Sequence, residues 1–251
     1  MEGQDLDYLK LCLSKLSDDA IDKPDVYGHT PLMWCASVQR GKNSIDFCNC
    51  LIARGCSLAL QSRYGATILH LATREPGDDE LLGYIYDEVV GQDLLSALSD
   101  LVDVHGRTFA HTMARSENPR IRHHLQRLPP NILRDLVNKA DLAGFTPLHE
   151  AALAGDEELV RTLMEHGGDI HQKAMDHLSP ICIAHAAGHS AIVELLRCET
   201  NLSTEDKEAW TSERWTRTKN KLEEEENARM EKVQDKVDAE TESRKRLYKT
   251  V

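Results

Sequence analysis

One stretch of the chain returns further along in modified form. The segment 146–163 begins with a Thr-Pro-Leu triplet, and the segment 179–196 begins with Ser-Pro-Ile in the same register. The small and apolar positions then coincide, at Ala151 and Ala184, Gly155 and Gly188, and Leu163 and Leu196. A period of this length restricts the chain to a repeat architecture, in which each unit buries its apolar face against the next one.

Each residue type in the repeated segment has a local physical role. Thr146 suits the N-cap of a helix, and Pro147 suits the first helical position, where its missing N–H costs nothing. Gly155 suits a left-handed turn between two helices. Leu148 and Leu163 belong to an apolar stripe that one unit alone cannot bury. The segment therefore predicts a turn followed by two short antiparallel helices.

Weaker copies of the segment occur upstream. Their turn positions are Gly28, Gly65 and Gly106, followed by Gly144 and His177 in the two strong copies, and the successive steps are 37, 41, 38 and 33. This sequence motif and its spacing resemble the ankyrin repeat family over about residues 25–200. The resemblance implies an all-α ankyrin-repeat solenoid with short β-turn fingers.

Departures from the family pattern carry their own predictions. The second and third copies contain the insertions 93–98 and 130–136, and each predicts an extra helical turn that is apolar on one side. The fifth copy has Cys182 in place of the motif histidine and His177 in place of the turn glycine. It is interpreted as an atypical, capping repeat.

The repeats divide the chain into three predicted regions. Residues 1–24 form an N-terminal capping helix, 25–202 the five repeats, and 203–251 a charged helical tail. The few apolar residues of the tail do not recur at heptad spacing, so a coiled coil is weakly supported. Trp210 and Trp215 pack either on the last repeat or on a partner. The rest of the tail is a docking helix or is partly disordered.

Charge and composition exclude several classes of partner. The net charge is −12, and because residues 205–251 hold 13 acids and 12 bases, the preceding residues carry −11. An acidic surface without a continuous basic stripe disfavours nucleic acid. No apolar run is long enough to span a membrane. Seven scattered cysteines and an acidic N-terminus without a secretory signal indicate a reducing compartment, the cytoplasm, with a nuclear or cytoskeletal location also open.

The local charge pattern leaves two interpretations open. No Lys or Arg lies between Arg74 and Arg107, where acids accumulate, and the next repeat is locally basic. This alternation either steers a dipolar protein partner or is the solvated face of the helices.

No set of residues predicts catalysis, a cofactor or a metal. His70, His111 and His149 share the fourth position of the Thr-Pro-Leu-His motif, and the resemblance implies that they bond to backbone near the turns. Cys48 and Cys50 would point to opposite sides of a helix, which spoils chelation. We therefore expect no enzyme, no cofactor, no metal site and no small-molecule substrate.

The resemblance also implies where a partner binds. Ankyrin repeats usually bind proteins on the surface formed by the turn tips and the first helix of each repeat, called the turn-helix surface below. The residues predicted to bind a partner there, with the two tail tryptophans, are Tyr27, His29, Trp34, Arg63, Tyr64, His105, Arg107, Phe145, Leu153, Trp210 and Trp215.

The sequence thus favours a non-catalytic protein–protein interaction scaffold or adaptor, with the C-terminal helix as a second docking element. The alternative is a structural subunit of a large cytoskeletal or axonemal assembly, anchored by its C-terminal helix. A third class, an enzyme-associated module or an effector delivered into a host cell, has no residue that supports it.

Overall fold

The computed structural model of the chain describes residues 20–38, 43–73, 79–199 and 212–249. Within these residues the regular structure is helical and no strand occurs. The described residues divide into two compact units. Unit 1 contains 20–38, 43–73, 79–104 and 228–249, and unit 2 contains 105–199 and 212–227.

Unit 1 holds the first two helix pairs. Its helices are α1 (Pro31–Val38), α2 (Asn43–Ile52), α3 (Ile68–Ala72), α4 (Asp79–Gly91) and the short α5 (Leu95–Ser99). The first helices α1 and α3 pack on each other, as do the second helices α2 and α4. Leu32, Leu51, Leu69 and Leu82 are at most 1% exposed, so the pairs share one core.

Unit 2 continues the same pattern. Its helices are α6 (Phe109–Arg115), α7 (Pro119–His123), α8 (Pro130–Leu136), α9 (Pro147–Ala154), α10 (Glu157–Glu165), α11 (Pro180–Ala186) and α12 (Ser190–Glu199), with 3₁₀ helices at His124–Arg127 and Met175–His177. The first helices α6, α9 and α11 stack in order, with α9 in the middle. The predicted stacking of helix pairs is therefore confirmed within each unit.

The turns depend on left-handed backbone. Gly144 has a φ of +84°, and a Cβ on it would lie 3.0 Å from the Cα of Ala174 in the next turn. Gly155, with a φ of +77°, ends α9 as predicted. In the last turn Asp176 and His177 adopt φ values of +56° and +62°, so non-glycine residues take up the glycine conformation there.

The motif histidines hold the turns to the helices. In three repeats the Nδ1 atom of the histidine accepts the backbone N–H of the preceding N-cap threonine at 3.1–3.2 Å, in the pairs His70 with Thr67, His111 with Thr108, and His149 with Thr146. Nδ1 is then the acceptor, so the proton lies on Nε2. The Nε2 atom of His111 donates to the carbonyl of Phe145 at 3.0 Å, and that of His149 to the carbonyl of Leu178 at 3.2 Å. The predicted structural role of these histidines is confirmed.

The fifth repeat lacks this connection. Cys182 occupies the histidine position, and its Sγ lies 3.1 Å from the Oγ of Ser179. The side chain completes a local contact with its own N-cap. It supplies no ring nitrogen for a following turn.

Both predicted insertions are helical. They correspond to α5, with Leu95 and Leu98 buried, and to α8, with Ile132, Leu133 and Leu136 buried.

The charged tail contains helix α13 (Ser212–Lys249), a continuous helix of 38 residues and about 57 Å. Its segment 212–227 belongs to unit 2, and its segment 228–249 to unit 1. Most of the predicted N-terminal capping helix, the start of the tail and Trp210 lie outside the described residues.

Candidate protein-binding surface

In unit 2 the turn-helix surface is in contact with α13 through apolar side chains. Phe145 is 5% exposed and forms a core cluster with Leu178 and Ile183. Trp215 and Leu222 of α13 pack against this cluster from outside, as does Leu153 of α9. Trp215 therefore packs on the repeats of its own chain, which is one of the two alternatives that the sequence left open.

A charged network holds the same segment of α13. Glu226 accepts a hydrogen bond from the guanidinium of Arg107 and lies 3.7 Å from Nη1 of Arg115. Arg107 also lies 3.6 Å from Asp141, and Arg115 lies 4.0 Å from Glu150. The side chains of Arg107, Asp141 and Glu150 are at most 11% exposed. One carboxylate of α13 thus interacts with two arginines of the repeats.

The pKa values of the three carboxyl groups differ according to burial. Burial pushes the pKa of Glu226 upward, but the charges of Arg107 and Arg115 outweigh it and leave that pKa below its ordinary value. Burial raises the pKa of Asp141 despite backbone hydrogen bonds and the charge of Arg107, and burial raises the pKa of Glu150 despite the charges of Arg115 and Arg107. Glu226 is therefore the best-stabilised anion of the network.

Thr218 adds a polar contact on the same face of the helix. It is 1% exposed, and its Oγ1 donates to Oδ2 of Asp176 at 2.8 Å. Asp176 is one of the two residues with left-handed backbone in the last turn. A strained turn residue thus faces α13.

A cleft of about 540 Å³ remains beside this segment of α13. Its wall on the repeats includes Phe145, Glu150 and Leu153, and its wall on α13 includes Lys219 and Glu223. Lys219 and Glu223 are more than half exposed. The helix therefore does not fill the surface that it covers.

In unit 1 the contacts with α13 are mainly polar. The hydroxyl of Tyr64 donates to Oε1 of Gln234 at 2.8 Å, and Nη2 of Arg63 lies 2.6 Å from Oε2 of Glu240. Hydrogen bonding to Glu240 raises the pKa of Arg63, which stays charged. Between these positions Val237 is only 2% exposed.

The remaining predicted residues of unit 1 form an aromatic group. The ring of His29 lies 5.3 Å from that of Trp34, 6.4 Å from that of Tyr27 and 6.5 Å from that of Tyr64. Nε1 of Trp34 donates to Oδ2 of Asp25 at 2.9 Å, which fixes the indole, and the side chain stays 43% exposed. Trp34 is thus oriented by the turn and accessible from outside.

The predicted partner-binding residues of the repeats therefore fall into three groups. Arg63, Tyr64, Arg107, Phe145 and Leu153 line the surface that α13 covers within their own unit. Tyr27, His29 and Trp34 form the aromatic group. His105 is 8% exposed, and its carbonyl accepts the N–H of Leu142 in the next turn.

Of the residues of α13 that carry the contacts, the sequence singled out Trp215 but not Glu226. Trp215, Glu226 and Val237 recur at i, i+11 and i+22, and Leu222 and Val233 show the same interval. This interval makes three turns at about 3.67 residues per turn, so such positions share one face of a straight helix. A search for this period, rather than for heptads, would have placed Glu226 with the apolar residues.

Two other kinds of site are not found in the described part of the chain. No group of three or more His, Cys, Asp or Glu residues there could hold a metal ion, and no described helix is long and apolar enough to cross a membrane. Burial raises the pKa of Cys35 to about 11, and that of Cys48 and of Cys56 to about 12. These thiols stay protonated at neutral pH and are poor nucleophiles.

Stacked helix pairs with protruding turns define a helical-repeat protein. Over residues 110–208 its repeats are ankyrin repeats, because the family model for ankyrin repeats matches this stretch with three copies. The predicted resemblance and fold class, an all-α ankyrin-repeat solenoid, are thereby confirmed. Ankyrin repeats are modules of protein–protein interaction and are generally not catalytic.

Curated relatives match over their repeats. The chain is 32% identical over 110 residues to alpha-latrotoxin-Lt1a of Latrodectus tredecimguttatus, which is 43% of this chain and 8% of the toxin. It is 28% identical over 156 residues to palmitoyltransferase AKR1 of Lachancea kluyveri, 62% of this chain and 19% of that protein. It is 35% identical over 94 residues to the human DNA-binding protein RFXANK, 38% of this chain and 32% of that protein. The chain thus spans less than a third of the length of each of these relatives.

Proposed function

We propose that the chain is a non-catalytic scaffold that binds a protein partner on its turn-helix surface, with α13 as a second docking element. The observation that carries the proposal is the chemistry of that surface in unit 2. Two arginines, an apolar cluster and an oriented turn carboxylate face outward from the repeats and hold a helix. Arginine beside aromatic residues is the composition of interaction hot spots.

Trp34 supports the same proposal in unit 1. Its indole is held by Asp25 and is 43% exposed, so binding a partner there would cost little side-chain entropy. A reducing compartment, the cytoplasm, suits the proposal, because the described cysteines are all free thiols.

Photo-cross-linking tests the proposal. A photoreactive phenylalanine analogue replaces Trp34 in the full chain, and a matched control carries it at Val90, which is 45% exposed on the second helix α4 of the same unit. After irradiation in native lysate, mass spectrometry identifies the cross-linked proteins. We expect a protein that attaches at position 34 and not at position 90. The same proteins at both positions, or none at position 34, would refute the proposal.

The second candidate function is a structural subunit of a large assembly that is anchored by α13. It is favoured by the outer side of this helix, where charged residues such as Arg217, Lys221 and Glu231 are exposed over many turns. Reversing these three charges in the full chain discriminates the two functions. Loss of incorporation into large particles, with the cross-link at position 34 retained, would favour the structural role.

A further inference from the structure

The cleft beside α13 in unit 2 is a charged site whose formal charges nearly cancel. Four cationic and five carboxylate side chains line its volume of about 540 Å³. Arg122 donates to the carboxylate of Asp156 at 2.7 Å. Asp141 accepts the backbone N–H groups of Ala143 and Phe145, each at 2.9 Å. Charged residues of this kind already have their hydrogen bonds and do not require a ligand.

Arg115 and Glu150 lie side by side in this cleft without a hydrogen bond to any residue that the structure describes. Nη1 of Arg115 is 4.0 Å from Oε1 of Glu150 and 3.7 Å from Oε1 of Glu226, and both distances exceed the range of hydrogen bonds. The side chain of Glu150 is only 4% exposed, whereas that of Arg115 is 46% exposed. An almost buried acceptor without a donor is costly, so this pair indicates a ligand.

The charges around the pair favour an uncharged ligand. An anion that paired with Arg115 would also meet the carboxylates of Glu150 and Glu226. A cation that paired with Glu150 would meet the guanidinium group of Arg115. An amide group avoids both conflicts, because its C=O accepts from a guanidinium group and its N–H donates to a carboxyl group. The pair therefore has the chemistry of an amide-binding site.

The apolar residues beside the pair favour a backbone amide over the side-chain amide of Asn or Gln. Phe145, Leu153 and Trp215 line the same cleft. They can contact an apolar side chain on the Cα atom next to a peptide group, whereas a Gln or Asn side chain ends in its amide. Within a helix the peptide groups bond to one another, so a peptide group that binds here belongs to an extended segment. At the spacings of a β-sheet an extended residue occupies roughly 160 Å³, so the cleft holds about three of them.

We propose that the unit 2 cleft binds an extended, uncharged segment of a partner protein, with one peptide group of that segment bonded to Arg115 and Glu150. An apolar side chain of the segment lies against Phe145, and α13 stays in place as one wall of the site. This inference rests on the proposed function and specifies its partner. Main-chain hydrogen bonds supply the affinity, and the apolar side chain supplies the specificity.

Selection from a library of random heptapeptides tests the site. Peptides displayed on phage are first depleted on the Arg115→Met chain, which removes those that bind elsewhere, and the rest are selected on the wild-type full chain. We expect enriched peptides to be poor in charged residues, to contain an apolar residue and to bind wild type at least tenfold more tightly than Arg115→Met, about 1.4 kcal/mol. Enriched peptides that share an Asp, Glu, Lys or Arg, or no enrichment at all, would overturn the proposal.

Arg161→Met is the matched control for the selection. Arg161 is 54% exposed on α10 of the same unit and lies outside the cleft. The selected peptides should bind this chain like wild type, and an equal loss on both variants would show that they respond to net charge alone, against the proposal. Urea unfolding checks that Arg115→Met stays folded. If it loses cooperative unfolding, Arg115→Gln takes its place with the same expectation.

Ester substitution tests the backbone contact. Replacing one N–H of a selected peptide with an ester oxygen removes a single donor, and at one position it should weaken binding to wild type at least tenfold. On the Glu150→Leu chain the same ester and its parent peptide should bind alike, because the acceptor is gone. An equal penalty on both chains, or no position with a penalty, would refute the bond to Glu150.

Failure of this inference is distinct from failure of the proposed function. The cross-link at position 34 reports on a partner in unit 1 and does not use the cleft. If it persists while the selection fails, the scaffold function stands and the amide-binding cleft is refuted. Loss of that cross-link together with a failed selection would refute both.

Discussion

The two segments of α13 are held by different chemistry. In unit 2 the segment contributes a carboxylate to a network of nearly buried charges and two large apolar side chains to a core cluster. In unit 1 it contributes an amide and a carboxylate to side chains that are only partly buried, and among its residues with described burial there Val237 alone is fully buried. Buried charges are costly to leave unpaired, whereas exposed pairs contribute little. The comparison teaches that the unit 2 contacts decide whether the helix stays in place.

Removing Arg107 should have the largest effect. Arg107→Ala leaves Asp141 and Glu226 without their closest cation, and Asp141 is almost fully buried, so the free energy of unfolding should fall by about 3–5 kcal/mol. Urea unfolding followed by circular dichroism measures it. Arg107→Lys keeps the charge and should recover part of the loss. A loss below about 1 kcal/mol for Arg107→Ala would show that the network is not stabilising.

Acid should weaken unit 2 through His149. Burial lowers the pKa of this histidine to about 4 from the ordinary 6.5, so below pH 6.5 the unfolded chain binds a proton that the folded chain does not. Stability is therefore complete above pH 6.5 and is lost as the pH falls towards 4, by about 2 kcal/mol at pH 5. The raised pKa values of Asp141 and Glu150 act in the opposite direction at lower pH.

Urea unfolding at pH 7 and pH 5 checks this prediction. His149→Gln removes the titrating ring, and its difference in unfolding free energy between the two pH values should be smaller than that of wild type by about 2 kcal/mol. An unchanged difference would mean that His149 is already protonated in the folded chain at pH 5.

Truncating an apolar contact should have an intermediate effect. Leu222→Ala removes a partly buried side chain from the Phe145 cluster and should cost about 1–2 kcal/mol in unfolding free energy, less than a fully buried leucine. Met230→Ala on the same helix is the control, because Met230 is 36% exposed and should tolerate the change. Equal losses for the two variants would contradict the assignment of Leu222 to the packed face.

The exposed pair in unit 1 should give the smallest effect. Arg63→Ala removes the contact with Glu240, whose side chain is 54% exposed, and the unfolding midpoint should stay within experimental error of wild type. A loss as large as that of Arg107→Ala would invert the comparison between the two segments.

Local signals predicted the repeats because they act over a few residues. Thr146, Pro147 and Gly155 each have a role within their own turn or helix, and the motif histidines bond to the adjacent N-cap. Even His177, the departure from the turn glycine, was located correctly, since the structure gives it a positive φ. Properties of this kind can be read from neighbouring residues.

The contacts of α13 with the repeats could not be predicted from neighbouring residues. Arg107 and Glu226 are 119 residues apart, and Tyr64 and Gln234 are 170 apart. The sequence gives the chemistry of each side chain but does not select which of many glutamates faces which arginine. A recurrence every three helical turns is also compatible with a solvated helix, so the stripe alone could not have identified the surface that it covers.

The cysteine at position 182 has a consequence for how such a protein can grow. His111 and His149 each donate a hydrogen bond from Nε2 to a carbonyl of the unit that follows, of Phe145 and Leu178 respectively. The shorter thiol of Cys182 cannot span that distance. If the last unit were duplicated, the hydrogen bond from the motif position to the following turn would therefore be missing between the two copies. Lengthening the array by a further copy would therefore require Cys182→His together with the duplication.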